Sequence, residues 1–345
     1  MRKVDAINHV FPKVYWDRMR TQIDRKSALT DDVRLGPALM DLDARFRLMD
    51  MFDGYEQILA LTAPPLEALF TPEVAIDMAR LANDGMAEIV ALHPDRFPGF
   101  LASLPMATSD AAVAEIYRAV KDLGALGVQI FTNVNGRALD LAEYFPIFHA
   151  CYTLDVPMVM HPVQGGEMSK HVNEVRAQYG IWMTLGEPFE TTVAQARLVF
   201  SGLMDKLPGI KILTHRMGEM MPMVTDRSAT DQPAFGRVTD FERRPKRLKK
   251  PHAEYFKDFY TDTMLCGTRE TIERGLAHYP RDRILFASGA AIDDEKDADR
   301  IGSRIALIDS LEIDPAWKED IYWRNAAKIM NFDRRHEIIP KRIRA

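Results

Sequence analysis

The sequence predicts an α/β protein built as one (β/α)8 barrel domain of the TIM type. Three observations support this prediction. Short apolar segments alternate with longer amphipathic ones, which is typical of strand–helix–strand units and a parallel sheet. Eight such apolar segments occur, the number in a closed barrel. The chain has 345 residues, 47% of them hydrophobic, which is enough for one large core.

The eight predicted strands are separated by segments that can hold helices. The strands are residues 3–8, 55–62, 97–105, 125–132, 156–162, 209–215, 259–264 and 283–289. Apolar residues at helical spacing predict helices at residues 73–94, 109–124, 142–155 and 188–209. Ser109 and Asp110 are residue types that cap a helix N-terminus. An open doubly wound sheet is the alternative, but no Gly-x-Gly-x-x-Gly motif follows the first strand.

Two segments interrupt this alternation. Residues 163–190 are a predicted loop insertion that contains glycines and aromatic residues, and loops of this length are usually functional or mobile. Residues 242–250 contain six basic residues. A solvated surface or a partner contact explains this basic segment, and a funnel for anions is the alternative.

The composition argues against several classes of protein. A net charge of −5 and a pI near 6.0 argue against a nucleic-acid partner, which usually requires a basic face. No segment approaches the ~20 apolar residues of a membrane span, and the N-terminal segment lacks the apolar stretch of a signal peptide. Cys151 and Cys266 give no disulfide framework. We therefore expect a soluble, cytoplasmic protein that acts on a small molecule.

Polar residues stand where the predicted strands end. They are Asn8, His9, Thr132, Asn133, His161, His215, Asp262 and Ser288. The C-terminal strand ends of a barrel converge on one axis and carry its active site. Three of these residues are histidines from different strands, namely His9, His161 and His215. We expect these three to form the core of an active site.

Five segments carry a resemblance to a known family. They are residues 4–12 (VDAINHVFP), 127–162, 188–222, 281–294 (RDRILFASGAAIDD) and 323–330 (WRNAAKIM). In this order they resemble the amidohydrolase-related family that contains aminocarboxymuconate-semialdehyde decarboxylase and γ-resorcylate decarboxylase. The resemblance covers nearly the whole chain. It implies an amidohydrolase-like (β/α)8 barrel.

The resemblance also implies one divalent metal. The family holds it with a first-strand pair, His-x-His or Glu-x-His, a fifth-strand His and an eighth-strand Asp, while a sixth-strand His transfers protons. His161 and His215 match the fifth- and sixth-strand positions. The first-strand pair falls on Ile7 and His9, and the aspartate position falls on Gly289. Neither isoleucine nor glycine can coordinate a metal, so we expect no metal cofactor.

The sequence thus favours a metal-independent enzyme. It would act on an aromatic or cyclic carboxylic acid, or a related carbonyl compound, by decarboxylation or by hydrolysis of a ring bond. His215 would be the acid–base group, since imidazole titrates near neutral pH, and His161 would share the catalysis. Glu219 would orient His215 or cap a turn. Asp293 would replace the missing carboxylate or, with Asp294, cap the following helix.

Six further residues are candidates for substrate binding. They are His9 and Asn8 at the first strand end, Ser288 at the last, Arg227, Trp182 and Phe189. A guanidinium binds carboxylates well, although a surface ion pair is the alternative for Arg227. The two aromatic residues would cover a substrate ring, and packing on the barrel rim is their alternative.

Two other functions remain open. His9, His161 and His215 could form a three-histidine site for residual zinc or manganese, a ligand set that zinc accepts. The chain could also be a non-catalytic binding or scaffold barrel, although three histidines at strand ends argue against this. The methionine-rich segment 217–224 suits an interface. We therefore expect a homodimer, with no nucleic-acid or membrane partner.

Overall fold

The structure is a computed structural model that describes most of the chain. The described residues are 1–22, 36–163, 171, 173–175, 177–230, 248–264, 267–290 and 294–332. Outside these ranges lie Asp293, about a third of the predicted loop insertion and most of the basic segment 242–250.

Eight parallel strands form the predicted barrel. Together with two short strands outside the barrel, the strands of the described residues are, in chain order, β1 (Lys3–Val10), β2 (Tyr55–Leu61), β3 (Gly99–Ser103), β4 (Gly127–Phe131), β5 (Asn133–Val134), β6 (Arg137–Ala138), β7 (Met158–His161), β8 (Ile212–Thr214), β9 (Tyr260–Asp262) and β10 (Ile284–Leu285). The barrel order is β1-β2-β3-β4-β7-β8-β9-β10, while β5 and β6 form a separate antiparallel pair. The Ala6 N–H donates to the Phe286 carbonyl at 2.9 Å, which joins the first strand to the segment after the last.

Helices separate most of the barrel strands. They are α1 (Lys13–Gln22), α2 (Leu42–Met49), α3 (Leu66–Leu69), α4 (Pro72–Leu92), α5 (Ser109–Lys121), α6 (Phe145–Leu154), α7 (Glu187–Phe200), α8 (Leu203–Lys206), α9 (Met221–Thr230), α10 (His252–Phe256), α11 (Arg269–His278), α12 (Asp294–Asp309), α13 (Pro315–Glu319) and α14 (Asn325–Met330). Short 3₁₀ turns cover Pro37–Leu39, Ala142–Tyr144, Arg216–Gly218 and Arg281–Arg283, and π-helical turns cover Trp182–Gly186 and Asp320–Arg324. None of the helices in the described ranges has both the length and the apolar character of a membrane span.

Local chemistry explains where the helices differ from the prediction. The helix predicted at 188–209 divides into α7 and α8, because Gly202 between them has a φ of 74°, a left-handed conformation that glycine adopts at no steric cost. Helix α5 begins at Ser109, but its N-cap residue is Thr108. Helix α4 begins with Pro72, whose fixed φ suits the first helical turn.

The barrel has an outer and an inner core. The outer core lies between strands and helices, and the inner core contains residues such as Ile58, Leu101 and Val159. The β1–β2 register shifts between Asp5 and Asn8. Both Ala6 and Ile7 belong to the inner core, each 1% exposed. Ile7 therefore fills the barrel interior with an apolar side chain.

Candidate active site

The three histidines predicted from the strand ends meet in one row. His9 belongs to β1, His161 ends β7, and His215 follows β8. The ring centroids of His9 and His161 lie 5.3 Å apart, and those of His161 and His215 lie 5.4 Å apart. Both contacts are edge-to-face. We call these three side chains the histidine row; His9 and His215 are buried.

Asp262 holds His215 from the neighbouring strand. Its Oδ2 lies 2.6 Å from His215 Nδ1, and both side chains are almost completely buried. Its Oδ1 accepts the backbone N–H groups of Arg216 and Met264, each at 3.0 Å. A carboxylate can only accept hydrogen bonds, so Nδ1 carries the proton. The pair fixes both the orientation and the tautomer of the ring.

The second nitrogen of His215 is available for chemistry. Nε2 is buried and has no hydrogen-bond partner among the residues that the structure describes. With the proton on Nδ1, Nε2 has a lone pair and can accept a proton. Asp262 would then stabilise the resulting imidazolium. This arrangement suits general acid–base catalysis.

The other two members of the row are neutral at pH 7. Burial, and next the proximity of the His9 ring, lower the pKa of His161 well below its usual range. Burial, and then His215, lower the pKa of His9 to about 4. His161 Nδ1 lies 2.7 Å from the Pro162 carbonyl, which can only accept, so neutral His161 has its lone pair on Nε2. His161 can therefore accept a hydrogen bond from a substrate, but it cannot donate one to a carboxylate, because its single N–H already donates to the Pro162 carbonyl.

Glu219 contacts Arg216 and not His215. Arg216 donates to Glu219 at 3.1 Å and to Glu187 of α7 at 2.9 Å. Burial raises the pKa of Glu219 to about 7, against the attraction of Arg216. Glu219 therefore forms an ion pair with Arg216 instead of orienting His215 as expected. Asp262 is the carboxylate that orients His215.

The backbone after His215 explains this difference. Four consecutive residues have positive φ, namely Arg216 (56°), Met217 (53°), Gly218 (73°) and Glu219 (58°). Only Gly218 suits such a conformation by its residue type. A Cβ there would lie 1.8 Å from the hydroxyl oxygen of Tyr279.

Ser288 and Asn8 lie beside the buried carboxylate of Asp5. Ser288 donates its hydroxyl to Asp5, and its backbone N–H donates at 3.1 Å. Tyr55 donates its hydroxyl to the same carboxylate at 2.5 Å, and Asn8 is fully buried close by. Burial raises the pKa of Asp5 to about 6, against these hydrogen bonds. Contrary to the expectation of a substrate contact, the Ser288 hydroxyl stabilises the joint between β1 and β10.

The remaining candidates lie on other elements. Trp182 begins the π-helical turn before α7 and is half-buried, while Phe189 in α7 is 48% exposed. Arg227 lies in α9. Their roles toward a substrate remain predictions, as does that of Asp293.

The side chains do not fit the divalent metal that the resemblance implies. Within the described ranges, no group of three or more His, Cys, Asp or Glu residues is arranged to hold a metal ion. Buried Ile7 fills one inherited ligand position, and Gly289, with a φ of 75°, stands at another. His215 is engaged by Asp262. These contacts also count against the alternative three-histidine metal site.

Comparison with known proteins places the chain in a family. Residues 9–332 match the amidohydrolase family. A γ-resorcylate decarboxylase of Polaromonas sp. is 32% identical over 309 residues, 86% of this chain and 89% of that protein. The structure of a 2,6-dihydroxybenzoate decarboxylase from Rhizobium superimposes with a TM-score of 0.77 at 28% identity, covering 96% of this chain and 99% of that one.

A third relative was solved with a bound metal ion. A dihydroxybenzoic acid decarboxylase from Polaromonas sp., solved with bound manganese and the inhibitor 2-nitroresorcinol, has a TM-score of 0.76 at 29% identity, over 98% of this chain and 99% of that one. These matches confirm the resemblance and the amidohydrolase-like barrel predicted from the sequence. The chain belongs to the amidohydrolase family.

Proposed function

We propose that this protein is a carboxy-lyase that removes CO2 from an aromatic carboxylic acid, with His215 as its acid–base group. The single observation that supports this mechanism best is the buried His215–Asp262 pair, whose free Nε2 lies at the C-terminal end of the barrel. The two decarboxylases that resemble the chain over most of its length support the reaction class.

The reaction needs one proton at a defined carbon atom. Protonated His215 gives the proton on Nε2 to the ring carbon that bears the carboxylate. The bond from that carbon to the carboxylate then breaks, its electron pair restores the aromatic ring, and CO2 leaves. Asp262 stabilises the imidazolium before transfer. His215 regains a proton from solvent, so the net reaction consumes one proton and the carboxylate form of the acid and yields the arene and CO2.

The other histidines shape the site around this transfer. Neutral His161 accepts a hydrogen bond from the substrate through Nε2, as its contact with Pro162 requires. His9, buried next to it, adds a second uncharged polar wall. The predicted contacts of Trp182 and Phe189 would cover the ring from the segment before and within α7.

We further propose that this reaction proceeds without a divalent metal. Manganese in a relative gives this no support, so the proposal relies on Ile7, Gly289 and the two neutral imidazoles of this chain. Neutral ligands bring no negative charge to offset a divalent cation in a buried site.

Mass spectrometry of the reaction products tests the reaction class. Incubation with 2,6-dihydroxybenzoate and other carboxyl-labelled benzoates should release labelled CO2 and leave one solvent deuterium on the ring in D2O. Hydrolysis of a ring bond, the alternative predicted from the sequence, would instead add the elements of water to the product. If a broad panel of acids gives neither product, catalysis is contradicted and a binding barrel is favoured.

Metal analysis tests the second proposal. Purified protein should contain well below one equivalent of zinc or manganese, and a chelator should not inhibit it. The double variant Ile7→His with Gly289→Asp should bind metal, since aspartate tolerates a positive φ better than most residues. Stoichiometric metal in the unmodified protein, lost together with activity on chelation, would overturn the proposal. Light scattering would test the predicted homodimer.

A further inference from the structure

Helix α7 contacts the turn that follows His215 with two side chains. Glu187, the first residue of α7, accepts a hydrogen bond from Arg216 Nη2 at 2.9 Å. Gln195 is fully buried about two turns further along the helix, and its Nε2 donates to the Gly218 carbonyl at 3.2 Å. Residues eight positions apart lie on the same side of a helix. One side of α7 therefore holds the turn at two points.

The turn needs this support because its backbone conformation is unfavourable. Residues 216–219 all have φ between 53° and 73°, and three of the four are not glycine. Such residues adopt a left-handed conformation only where the surrounding structure holds them in it. Met217 also packs against Gly275 of α11, where a Cβ would lie 2.6 Å from the methionine Sδ. Helices α7 and α11 together hold the turn.

The turn is joined directly to the His215–Asp262 pair. The backbone N–H of Arg216 donates to Asp262 Oδ1 at 3.0 Å, while Asp262 Oδ2 lies 2.6 Å from His215 Nδ1. The Gly218 N–H donates to the His215 carbonyl at 3.0 Å. A displacement of the turn would therefore move both the backbone that carries the imidazole and the carboxylate that orients it.

The link between helix and turn is also one of charge. The guanidinium of Arg216 pairs with Glu187 on one nitrogen and with Glu219 on another. All three side chains are largely buried, with Arg216 20% exposed, so solvent and salt screen their interaction less than that of a surface pair. Without the guanidinium, two carboxylates would face each other and repel. Both terminal nitrogens of Arg216 are engaged, which favours an effect through the turn over direct contact with a substrate.

We propose that Arg216 is a positioning residue of the acid–base site. Its ion pair with Glu187 fixes the turn to α7 and so keeps the Asp262 carboxylate and the His215 ring in the geometry for proton transfer. This inference rests on the proposed function, because it assigns Arg216 a part in the reaction of His215. Since Arg216 does not touch the substrate in this proposal, its loss should lower kcat and leave KM nearly unchanged.

Steady-state kinetics of Arg216→Met test the proposal. Methionine keeps an unbranched apolar stem but loses the charge and both ion pairs. The kcat of CO2 release should fall about tenfold to a hundredfold, as expected when a catalytic group is displaced by about 1 Å, and KM should stay within about twofold. An unchanged kcat, or a rise of KM alone, would overturn the proposal.

Proton NMR of the resting protein tests the same point without turnover. The Nδ1 proton of His215, held by Asp262 in a buried, charge-assisted hydrogen bond, should give a low-field signal that exchanges slowly with water. The His215→Asn variant identifies this signal. In Arg216→Met it should move upfield or broaden. A variant that loses thermal stability but keeps both the signal and kcat has lost only a structural contact, which would overturn the proposal.

A double-mutant cycle tests the link to α7. Glu187→Leu should lower kcat by a smaller factor than Arg216→Met, since Arg216 keeps its contact with Glu219. Combining the two changes should give an enzyme no slower than Arg216→Met alone, because the second change removes nothing further. Losses that multiply would overturn the link. If Arg216→Met does not fold, Glu187→Leu at the start of α7 decides the matter by kcat and by the NMR signal.

Arg118→Met is the matched control. Arg118 is also a partly buried arginine, 26% exposed, that pairs with two carboxylates, Glu115 and Asp84, but it lies on the outer helix α5. In this variant kcat, KM and the NMR signal should all stay as in the unmodified protein. An equal loss in the control would overturn the assignment to Arg216.

The outcome separates this inference from the proposed function. If no acid in the panel releases CO2, while the Nδ1 signal changes in Arg216→Met and not in Arg118→Met, the proposed decarboxylation is wrong and the positioning of the pair stands. If CO2 is released and Arg216→Met leaves both kcat and the signal unchanged, the decarboxylation stands and the positioning is wrong.

Discussion

Replacing Asp262 by asparagine tests the proposed acid–base pair with the least change of shape. The asparagine Oδ1 can still accept the N–H groups of Arg216 and Met264, which Asp262 Oδ1 accepts at 3.0 Å. Its NH2 group then faces His215 Nδ1, where the carboxylate oxygen lay at 2.6 Å. Two donors cannot face each other, so the ring proton must move to Nε2. The nitrogen that should receive a proton is then already protonated, and the imidazolium has lost its counter-ion.

The size of the effect follows from the distance. Two unit charges about 4 Å apart attract each other by about 4 kcal/mol at an effective dielectric constant near 20. The imidazolium of His215 would lose this attraction in the variant. Since about 1.4 kcal/mol corresponds to a tenfold change in rate, decarboxylation should become about 10³-fold slower.

The assay is the initial rate of CO2 release at saturating substrate. Circular dichroism and thermal unfolding should show that the variant remains folded. Asp297→Asn is the matched control, because Asp297 is also fully buried but pairs with Arg300 on the outer helix α12; its rate should stay near that of the unmodified protein. An Asp262→Asn variant that keeps more than a tenth of the original rate would refute the role of the pair.

Three other substitutions have expected results. His161→Ala should lower turnover at least a hundredfold without unfolding the barrel, because its ring joins those of His9 and His215; a rate within tenfold of the original would contradict this. Ile7→Ala should lower the free energy of unfolding by about 2–5 kcal/mol in urea titrations, as expected for a buried core residue, and a loss below about 1 kcal/mol would contradict its interior packing. Burial raises the pKa of Asp5 from 3.8 to about 6, so the folded state binds this proton more tightly than the unfolded state and stability falls as the pH rises through that window. Measured by urea unfolding, the stability of Asp5→Asn relative to the unmodified protein should therefore rise by up to about 3 kcal/mol between pH 4 and pH 7; a constant difference would contradict the shift.

The barrel could be predicted from the sequence because its strands are buried on both faces. Such strands appear as continuous apolar segments, and seven of the eight predicted segments contain the whole observed strand. Their ends could not be predicted well. Residues 97–105 and 283–289 contain only Gly99–Ser103 and Ile284–Leu285, since flanking loop residues in the outer core are also apolar. For the first strand the predicted segment 3–8 is too short, because β1 continues to Val10.

The histidine row could be predicted, but its partner could not. Strand ends converge in a barrel, so three histidines at such ends had to lie near one another. The sequence also marks Asp262 as a strand-end residue, yet it stands 47 positions from His215. Glu219 is only four positions away, so the sequence offers it as an orienting group, with a turn cap as the alternative. The left-handed turn that directs Glu219 to Arg216 has only Gly218 as a sequence signal.

The joint between Asp5 and Ser288 has a consequence for how the protein is made. These residues are separated by 283 positions, so a chain emerging from the ribosome must hold its first strand without its closing neighbour until nearly all of the barrel has been synthesised. During that time the apolar edge of β1 can pair with other chains. We expect truncations before Ile284 to aggregate rather than to form a smaller barrel.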